Sequence, residues 1–201
     1  MDLLQSVALA GGMAWASGLR LYAAVLAAGT LGRLGYLQLP ETLRILENPW
    51  ILGLSAALFV IEFLADKIPA VDSVWDSVQA FIRIPAGAVL AVLALGGHDP
   101  VWMLAAGLLG GTLTAGTQAA KSGSRALINT SPEPFSNITA SLGEDALVAV
   151  GLWSAIKYPV LFLGALLLFV AFLFWFLPRI FRGVRAVWTT LFGHRSAGPL
   201  R

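Results

Sequence analysis

Residues 160–177 are apolar throughout and carry no charged side chain. A helix of that length measures about 27 Å, at roughly 1.5 Å per residue, which is close to the thickness of the hydrocarbon core of a bilayer. Shorter apolar runs, separated by proline, glycine and charged residues, precede it. Only 12% of the chain is charged, against about a quarter in soluble proteins. We therefore predict an all-α polytopic membrane protein, whose first partner is the lipid bilayer.

The apolar runs predict about six transmembrane helices. The first run is interrupted by Gly11-Gly12 and by Ser17-Gly18-Leu19-Arg20, so we expect a broken or bent helix there. Several arginines follow the last run, which predicts a cytoplasmic tail by the positive-inside rule. Six spans then place both termini in the cytoplasm. The spans are expected to begin near Leu3, Pro49, Ala86, Val101, Ala146 and Val160.

The segment from residue 71 to residue 83 is amphipathic. Its apolar residues recur at helical spacing, and Asp72, Asp76, Gln79 and Arg83 fall on the opposite face. This pattern predicts a helix lying at the membrane interface, with Asp72 facing water, that continues through Pro85 into the third span.

Two short motifs occur twice. Residues 10–20 and 115–125 both read A-G-x-x-A-x-x-S-G-x-R, and A-x-K-x-P follows in each half, at 65–69 and 155–159. An odd number of spans between the copies would invert the second copy. We therefore predict two inverted three-helix repeats, 1–98 and 99–182, followed by a basic cytoplasmic tail, 183–201. The alternative is that two helix-packing faces rich in small residues converged on similar letters.

Functional sites of inverted-repeat membrane proteins lie between the repeats, at helix breaks. The two S-G-x-R elements are therefore candidate contacts for a solute. Each arginine has two interpretations, a ligand contact or an ion pair with a carboxylate of another helix. Arg20 has no acidic residue nearby in sequence and is the stronger ligand candidate. The polar segment 129–137 is either an ordinary connection or a re-entrant loop. The candidate substrate-binding residues are Ser17, Gly18, Arg20, Ser122, Gly123, Arg125, Asn129, Thr130, Glu133 and Asn137.

Acidic residues near the end of the second span are candidates for ion or proton coupling. Glu62 and Asp66 are four residues apart and share a helix face. With Lys67 and Asp76 they form the predicted coupling set. A carboxylate site for a metal, built from Glu62, Asp66 and Asp76, remains open. Glu144 and Asp145 are interpreted as charges at the start of the fifth span.

Two longer motifs resemble a known family. E-F-x-A-D-K-x-P-x-x-D-x-x-W-D at 62–76 and K-S-G-S-R-A-x-x-N-T-S-P-E-P-x-S-N at 121–137 resemble a bacterial membrane family known as domain of unknown function 4126. The resemblance implies a small polytopic protein of the bacterial cytoplasmic (inner) membrane. It implies no substrate and no catalytic residues.

The leading hypothesis is a small transporter or channel for an ion or a small solute, with an anionic solute favoured by the arginines. The alternatives are a protein that binds, flips or modifies a phosphorylated lipid, and a structural subunit that forms a homo-oligomer through Gly107, Gly111 and Ala115. The chain has no cysteine, and neither histidine has neighbours at metal-ligand spacing, so an enzyme is less favoured and no cofactor is predicted. Its basic residues are dispersed, which argues against a nucleic-acid partner.

Overall fold

A computed structural model describes residues 2–128 and 134–192, without the side chains of residues 69, 70, 73, 134 and 184–192. The described part is helical and contains no strand, as predicted. Five of the six helices begin at a proline, because the first helical amide needs no partner. The helices are α1 (Leu3–Arg33), α2 (Pro49–Ala65), α3 (Pro69–Ala94), α4 (Pro100–Ile128), α5 (Pro134–Lys157) and α6 (Pro159–Phe192), and a 3-10 helix, Glu41–Glu47, precedes α2.

Three helical segments are long and apolar enough to cross a membrane. They are Leu3–Arg33, Val74–Ala94 and Pro159–Gly183. The 3-10 helix and α2, which meet at 63°, would make a fourth span if they are taken together. Polar residues lower the hydropathy of α4 and α5, so those two helices are spans by prediction only.

The first helix is broken at Arg20, whose φ of −148° and ψ of 80° are not helical. We call residues 3–19 the first arm of α1 and residues 21–33 the second arm. Val7 of the first arm lines an apolar cavity of about 240 Å³ together with Leu95, at the end of α3. The second arm leads to the 3-10 helix, where the Thr42 hydroxyl donates a hydrogen bond of 2.5 Å to the Leu93 carbonyl. Both arms therefore extend from Arg20 towards the same end of α3.

The reversal at Arg20 makes the first arm run parallel to α4. The Thr114 hydroxyl donates to the Ala14 carbonyl at 2.8 Å, and the Lys121 ammonium group donates to the Leu19 carbonyl at 3.1 Å. Later residues of the first arm thus meet later residues of α4. The prediction that the second S-G-x-R copy is inverted relative to the first is wrong, because it counted α1 as a single span, whereas the chain reverses at Arg20.

The same reversal places the start of α1 and the later part of α6 at opposite ends of the bundle. Gly11 packs against Leu166 near the start of α6, whereas Ile180 near the end of α6 packs against Gly123. The first arm therefore begins at the opposite end of the bundle from the end of α6. The predicted placement of both termini on one side concerns residues 1 and 193–201, which lie outside the described residues.

Small residues bring α4 close to α3. A β-carbon at Gly107 would lie 3.1 Å from Val92, and one at Gly111 would lie 3.3 Å from Ala88. The glycine face that predicted a contact with another subunit is therefore turned towards α3 within the same chain. Close helix approach through small residues is the usual packing mode in lipid.

Helix α3 is amphipathic with its polar face inside. Asp72, Asp76 and Arg83 are buried, whereas Val78 on the opposite face is 55% exposed. The prediction of an interfacial helix with Asp72 facing water is wrong. The apolar face can point outward because the surroundings of a spanning helix are hydrocarbon and not water. The continuation through Pro85 is confirmed.

Helices α5 and α6 differ from their predicted limits. Helix α5 begins at Pro134, twelve residues before the predicted span, so Asn137 is helical and not part of a loop. Helix α6 is only 11% buried over its spanning window, as expected for a helix that faces lipid. It continues to Phe192, beyond the predicted start of the tail at residue 183.

Candidate functional site

Ten charged side chains from five helices meet at one end of the bundle, where α2 and α4 end and α3 and α5 begin. We call them the charge cluster. Burying so many charges away from water is costly unless each is paired. The cluster consists of Arg20 of α1; Glu62 and Asp66 at the end of α2; Asp72, Asp76 and Arg83 of α3; Lys121 and Arg125 of α4; and Glu144 and Asp145 of α5.

Arg20 lies at the centre of the cluster and is fully buried. Its guanidinium group forms an ion pair with Asp66 and donates a hydrogen bond to the Ser141 hydroxyl. Its Nε atom lies 3.4 Å from Glu144 Oε2 and 3.2 Å from Asp145 Oδ1. The acidic partners of Arg20 are distant in sequence, and the reversal of α1 brings Arg20 to them.

Glu62 is also fully buried, and its carboxylate lies close to cationic side chains from three helices. Its Oε1 atom pairs with Arg83 and lies 3.7 Å from Arg20 Nη1 and 3.6 Å from Lys121 Nζ. Asp76 shares two of these partners, with Arg83 Nη1 and Lys121 Nζ both at 3.1 Å. These contacts tie α2, α3 and α4 to the break in α1.

Arg125 pairs mainly with α5. Its Nη2 atom lies 3.0 Å from Glu144 Oε1 and 3.8 Å from Asp66 Oδ2, and its Nη1 atom donates to the Asn137 carbonyl at 3.1 Å. The two repeated arginines therefore share Asp66 and Glu144. Of the two interpretations of Arg125, the ion pair is the one observed, and the same now holds for Arg20.

Lys121 provides a hydrogen-bond donor for a backbone carbonyl at the break in α1. The non-helical conformation of Arg20 interrupts the hydrogen-bond ladder of α1, and the ammonium group donates to the Leu19 carbonyl. A cation at the carbonyl end of the first arm also interacts favourably with the helix dipole. Irregular backbone at membrane depth is tolerated only where protein or water satisfies it in this way.

A family model described as "Domain of unknown function (DUF4126)" matches residues 7–179. The chain belongs to this family. No curated protein and no solved structure matches the chain. The DUF4126 match begins within the first arm and ends just after the lipid-facing part of α6, so it includes every member of the charge cluster.

Several predicted site residues have other roles. The Ser17 hydroxyl donates to the Met13 carbonyl within its own helix, and Gly18 packs against Thr117. Ser122 accepts a hydrogen bond from Gln118, and Gly123 packs against Ile180. These four residues lie beside the cluster but contribute no charge to it.

Lys67 lies apart from the cluster, with its ammonium group 4.1 Å from the centre of the Phe63 ring. Its predicted place in the coupling set is not supported by a contact with a cluster carboxylate within the described residues. Asn129, Thr130 and Glu133, with the predicted re-entrant loop, lie outside the described residues.

Glu144 and Asp145 do not begin a helix, which contradicts their predicted role. They lie ten residues inside α5, and their carboxylates point to Arg20. They form the partly open edge of the cluster, since their side chains are 13% and 21% exposed.

The sequence reasoning did not assign Arg83, Lys121 and Ser141 to the site. A periodic signal could have found the first two. Polar residues recur every three or four positions along α3, at 72, 76, 79 and 83, and along α4, at 114, 118, 121 and 125. In a membrane helix such a stripe must face protein or a wet cavity.

A metal ion has little support at this site. Among the described residues, no group of three or more acidic or histidine side chains is arranged to hold one. Arg83 and Lys121 pair with the carboxylates of Glu62 and Asp76.

Proposed function

We propose that the protein is a small membrane transporter or channel for an ion or a small solute, with the charge cluster as its site. The observation that carries the proposal is that a cluster of ten charged side chains surrounds the break in α1, where four carboxylates pair with Arg20 itself. Ionisable residues inside spanning helices are costly and mark ion or substrate pathways, and broken helices line such pathways.

We further propose that the chain contains two inverted units in a shifted register. The second arm of α1 with α2 and α3 would form one unit, and α4, α5 and α6 the other. The motif A-x-K-x-P supports this register, because it ends the second helix of each unit. The first copy lies beside the cluster, while Ala155 of the second copy packs against Gly12, eight residues before the break in α1. The first arm is then additional to the repeat.

The orientation we propose is based on charge. Arg179 and Arg182 follow the lipid-facing part of α6 at the cluster end of the bundle. By the positive-inside rule this end faces the cytoplasm, in the cytoplasmic membrane that the family resemblance implies for a bacterium. The cluster then lies in the cytoplasmic half of the membrane, and α1 begins on the outer side.

The ion pairs change the balance between the hypotheses. An anionic solute or a lipid phosphate would have to displace carboxylates from Arg20 and Arg125, and the cluster contains six carboxylates against four cationic side chains, so both have less support than a cation. The structural-subunit hypothesis also loses support, because the glycine face expected to contact another subunit packs against α3 of the same chain. A transporter or channel with cationic cargo or coupling is therefore the function that we favour.

Flux into proteoliposomes tests the proposal. We would reconstitute the full chain and measure the uptake of monovalent cations, divalent cations, small organic cations and small anions. Glu62→Gln keeps the shape of the side chain and removes a charge that three cations share, so we expect at least about a tenfold loss of flux, equivalent to roughly 1.4 kcal/mol.

Lys157→Gln is the matched control, because Lys157 is exposed at the far end of α5. Its flux should equal that of the parent protein. Flux of none of these solutes, or equal flux in the Glu62→Gln variant, would rule out the proposed site.

A further inference from the structure

An apolar slot runs between α4 and α6 on the outside of the bundle. Its volume is about 510 Å³, and all of its described lining residues belong to these two helices. Cavities of this size are typical of small-molecule sites. Thr112 is the one described lining residue with a polar side chain, and its hydroxyl already donates to the Leu108 carbonyl at 2.7 Å. The slot therefore suits an apolar occupant.

Two tight contacts between helices limit the slot. Leu166 packs against Gly11 of the first arm at one end, and Ile180 packs against Gly123 of α4 at the cluster end. Between these contacts the slot is open to the side, where Phe174 of its lining is exposed. At this depth the surroundings are hydrocarbon, so the occupant can enter from the bilayer.

The slot is as long as the acyl chain of one leaflet. Its lining on α6 extends from Leu166 to Leu177, which is about 16 Å at roughly 1.5 Å per residue. Half of the hydrocarbon core is about 15 Å thick. Because the uncharged run 160–177 ends at Leu177, that residue lies at the membrane boundary and Leu166 lies near the midplane. A lipid chain in the slot would therefore belong to the leaflet at the cluster end.

Two arginines lie at the level of the headgroup of such a lipid. Arg179 and Arg182 are about 3 Å and 8 Å beyond Leu177 along the axis of α6, and both are exposed. Each guanidinium group donates to the carbonyl four residues earlier, and within the described chain neither forms an ion pair with a carboxylate. Unpaired cations at this level attract anionic headgroups. A phosphate bound here would displace no carboxylate, in contrast to one in the charge cluster.

We propose that the slot binds one anionic phospholipid, with an acyl chain between α4 and α6 and the phosphate near Arg179 and Arg182. This site is separate from the charge cluster and does not depend on the proposed transport. A second copy of the chain in the same orientation would bring its own arginines to this level, where like charges repel. An anionic lipid is attracted there, and its chain fills the space beside a helix that is otherwise little buried.

Native mass spectrometry of the purified full chain in detergent tests the proposal. The protein is titrated with phosphatidylglycerol and, separately, with phosphatidylcholine of the same acyl chains, so that only the headgroup charge differs. One phosphatidylglycerol should bind per chain, at least about tenfold more tightly than phosphatidylcholine.

Two variants test the chain and the headgroup separately. Val170→Trp places a bulky side chain in the middle of the slot and should weaken the binding of both lipids at least about tenfold. Arg179→Gln/Arg182→Gln leaves the slot intact and should remove the preference for phosphatidylglycerol while leaving the binding of phosphatidylcholine unchanged. This second variant alters only exposed side chains, so it tests the proposal even if Val170→Trp does not fold.

Each variant has a matched control. Leu168→Trp adds the same side chain to an exposed position of α6 outside the slot lining. Arg44→Gln/Lys157→Gln also removes two exposed cations, but far from the slot, in the 3-10 helix and at the end of α5. Both controls should bind the two lipids as the parent protein does.

Several results would overturn the proposal. They are equal affinity of the parent protein for the two lipids, parent-like binding of phosphatidylglycerol by Val170→Trp, and a preference that survives in Arg179→Gln/Arg182→Gln. A dimer of the parent chain that is lost in Val170→Trp would show that a second copy occupies the slot instead. The measurement needs no flux, so a failure of the proposed transport would leave the lipid site standing.

Discussion

Gly18→Ala tests the close approach of α1 and α4 directly. A β-carbon at this position would lie 2.6 Å from the Thr117 β-carbon and 2.7 Å from the Thr114 carbonyl oxygen. The carbonyl belongs to the backbone of α4, and the Thr114 side chain is fixed by hydrogen bonds to Ala14 and Gly110. Neither neighbour can turn aside, so the two helices must separate.

The expected cost follows from comparison with a second glycine. Gly53 of α2 is exposed and has no atom within 4 Å of its ideal β-carbon. Both positions are helical, so alanine brings the same gain in helix propensity, up to about 1 kcal/mol, at each. The difference between Gly18→Ala and Gly53→Ala therefore isolates the steric cost, which is about 1–3 kcal/mol for overpacking.

Thermal unfolding in detergent, followed by tryptophan fluorescence, measures this difference. At about 2–4 °C per kcal/mol for a chain of this size, Gly18→Ala should melt roughly 2–12 °C below Gly53→Ala. If the two variants melt together, α1 and α4 do not approach as described, and the parallel alignment of the two S-G-x-R copies fails with it.

Two further predictions concern the reversal of α1 and its ion pairs. Because the chain has no cysteine, a single introduced cysteine reports topology without labelling of other residues. In sealed vesicles, an impermeant thiol reagent should label Leu3→Cys and Tyr36→Cys from one side of the membrane. It should label Arg182→Cys from the other side. Reaction of Leu3→Cys and Arg182→Cys on the same side would contradict the reversal. Arg20→Met leaves buried carboxylates without their cation and should cost about 3–5 kcal/mol of unfolding free energy, part of which Arg20→Met/Asp66→Leu should recover. A single variant as stable as the parent would show that Arg20 is not central to the cluster.

The helices themselves could be read from the sequence. A span was expected to begin near Pro49, and α2 begins at that residue. Helix α3 shows the limit of this reasoning. Its two faces were identified correctly, but their orientation depends on whether the surroundings are water or lipid, which the periodicity of a helix does not specify.

The ion-pair partners of the site residues could be predicted only where they lie close in sequence or in the same half of the predicted topology. An ion pair for Arg125 was one of the two interpretations that the sequence left open. The partners of Arg20 could not be predicted, because they depend on a single non-helical residue. The S-G-x-R motif predicted that α1 breaks, but glycine and serine at a break do not determine the angle that follows.

The backbone conformation of Arg20 links the angle between the two arms of α1 to the ion pairs of the charge cluster. The two arms of α1 meet at this one residue, and the first arm packs on α4 and α5 while the second packs on α2 and the 3-10 helix. Any change in the angle between the arms moves the Arg20 guanidinium group relative to Asp66 on one side and to Glu144 and Asp145 on the other. Arg20 is thus the point about which the two arms would turn, and its ion pairs lie at that point. A motion that exposes either side of the bundle must therefore also rearrange the ion pairs that stabilise the closed arrangement.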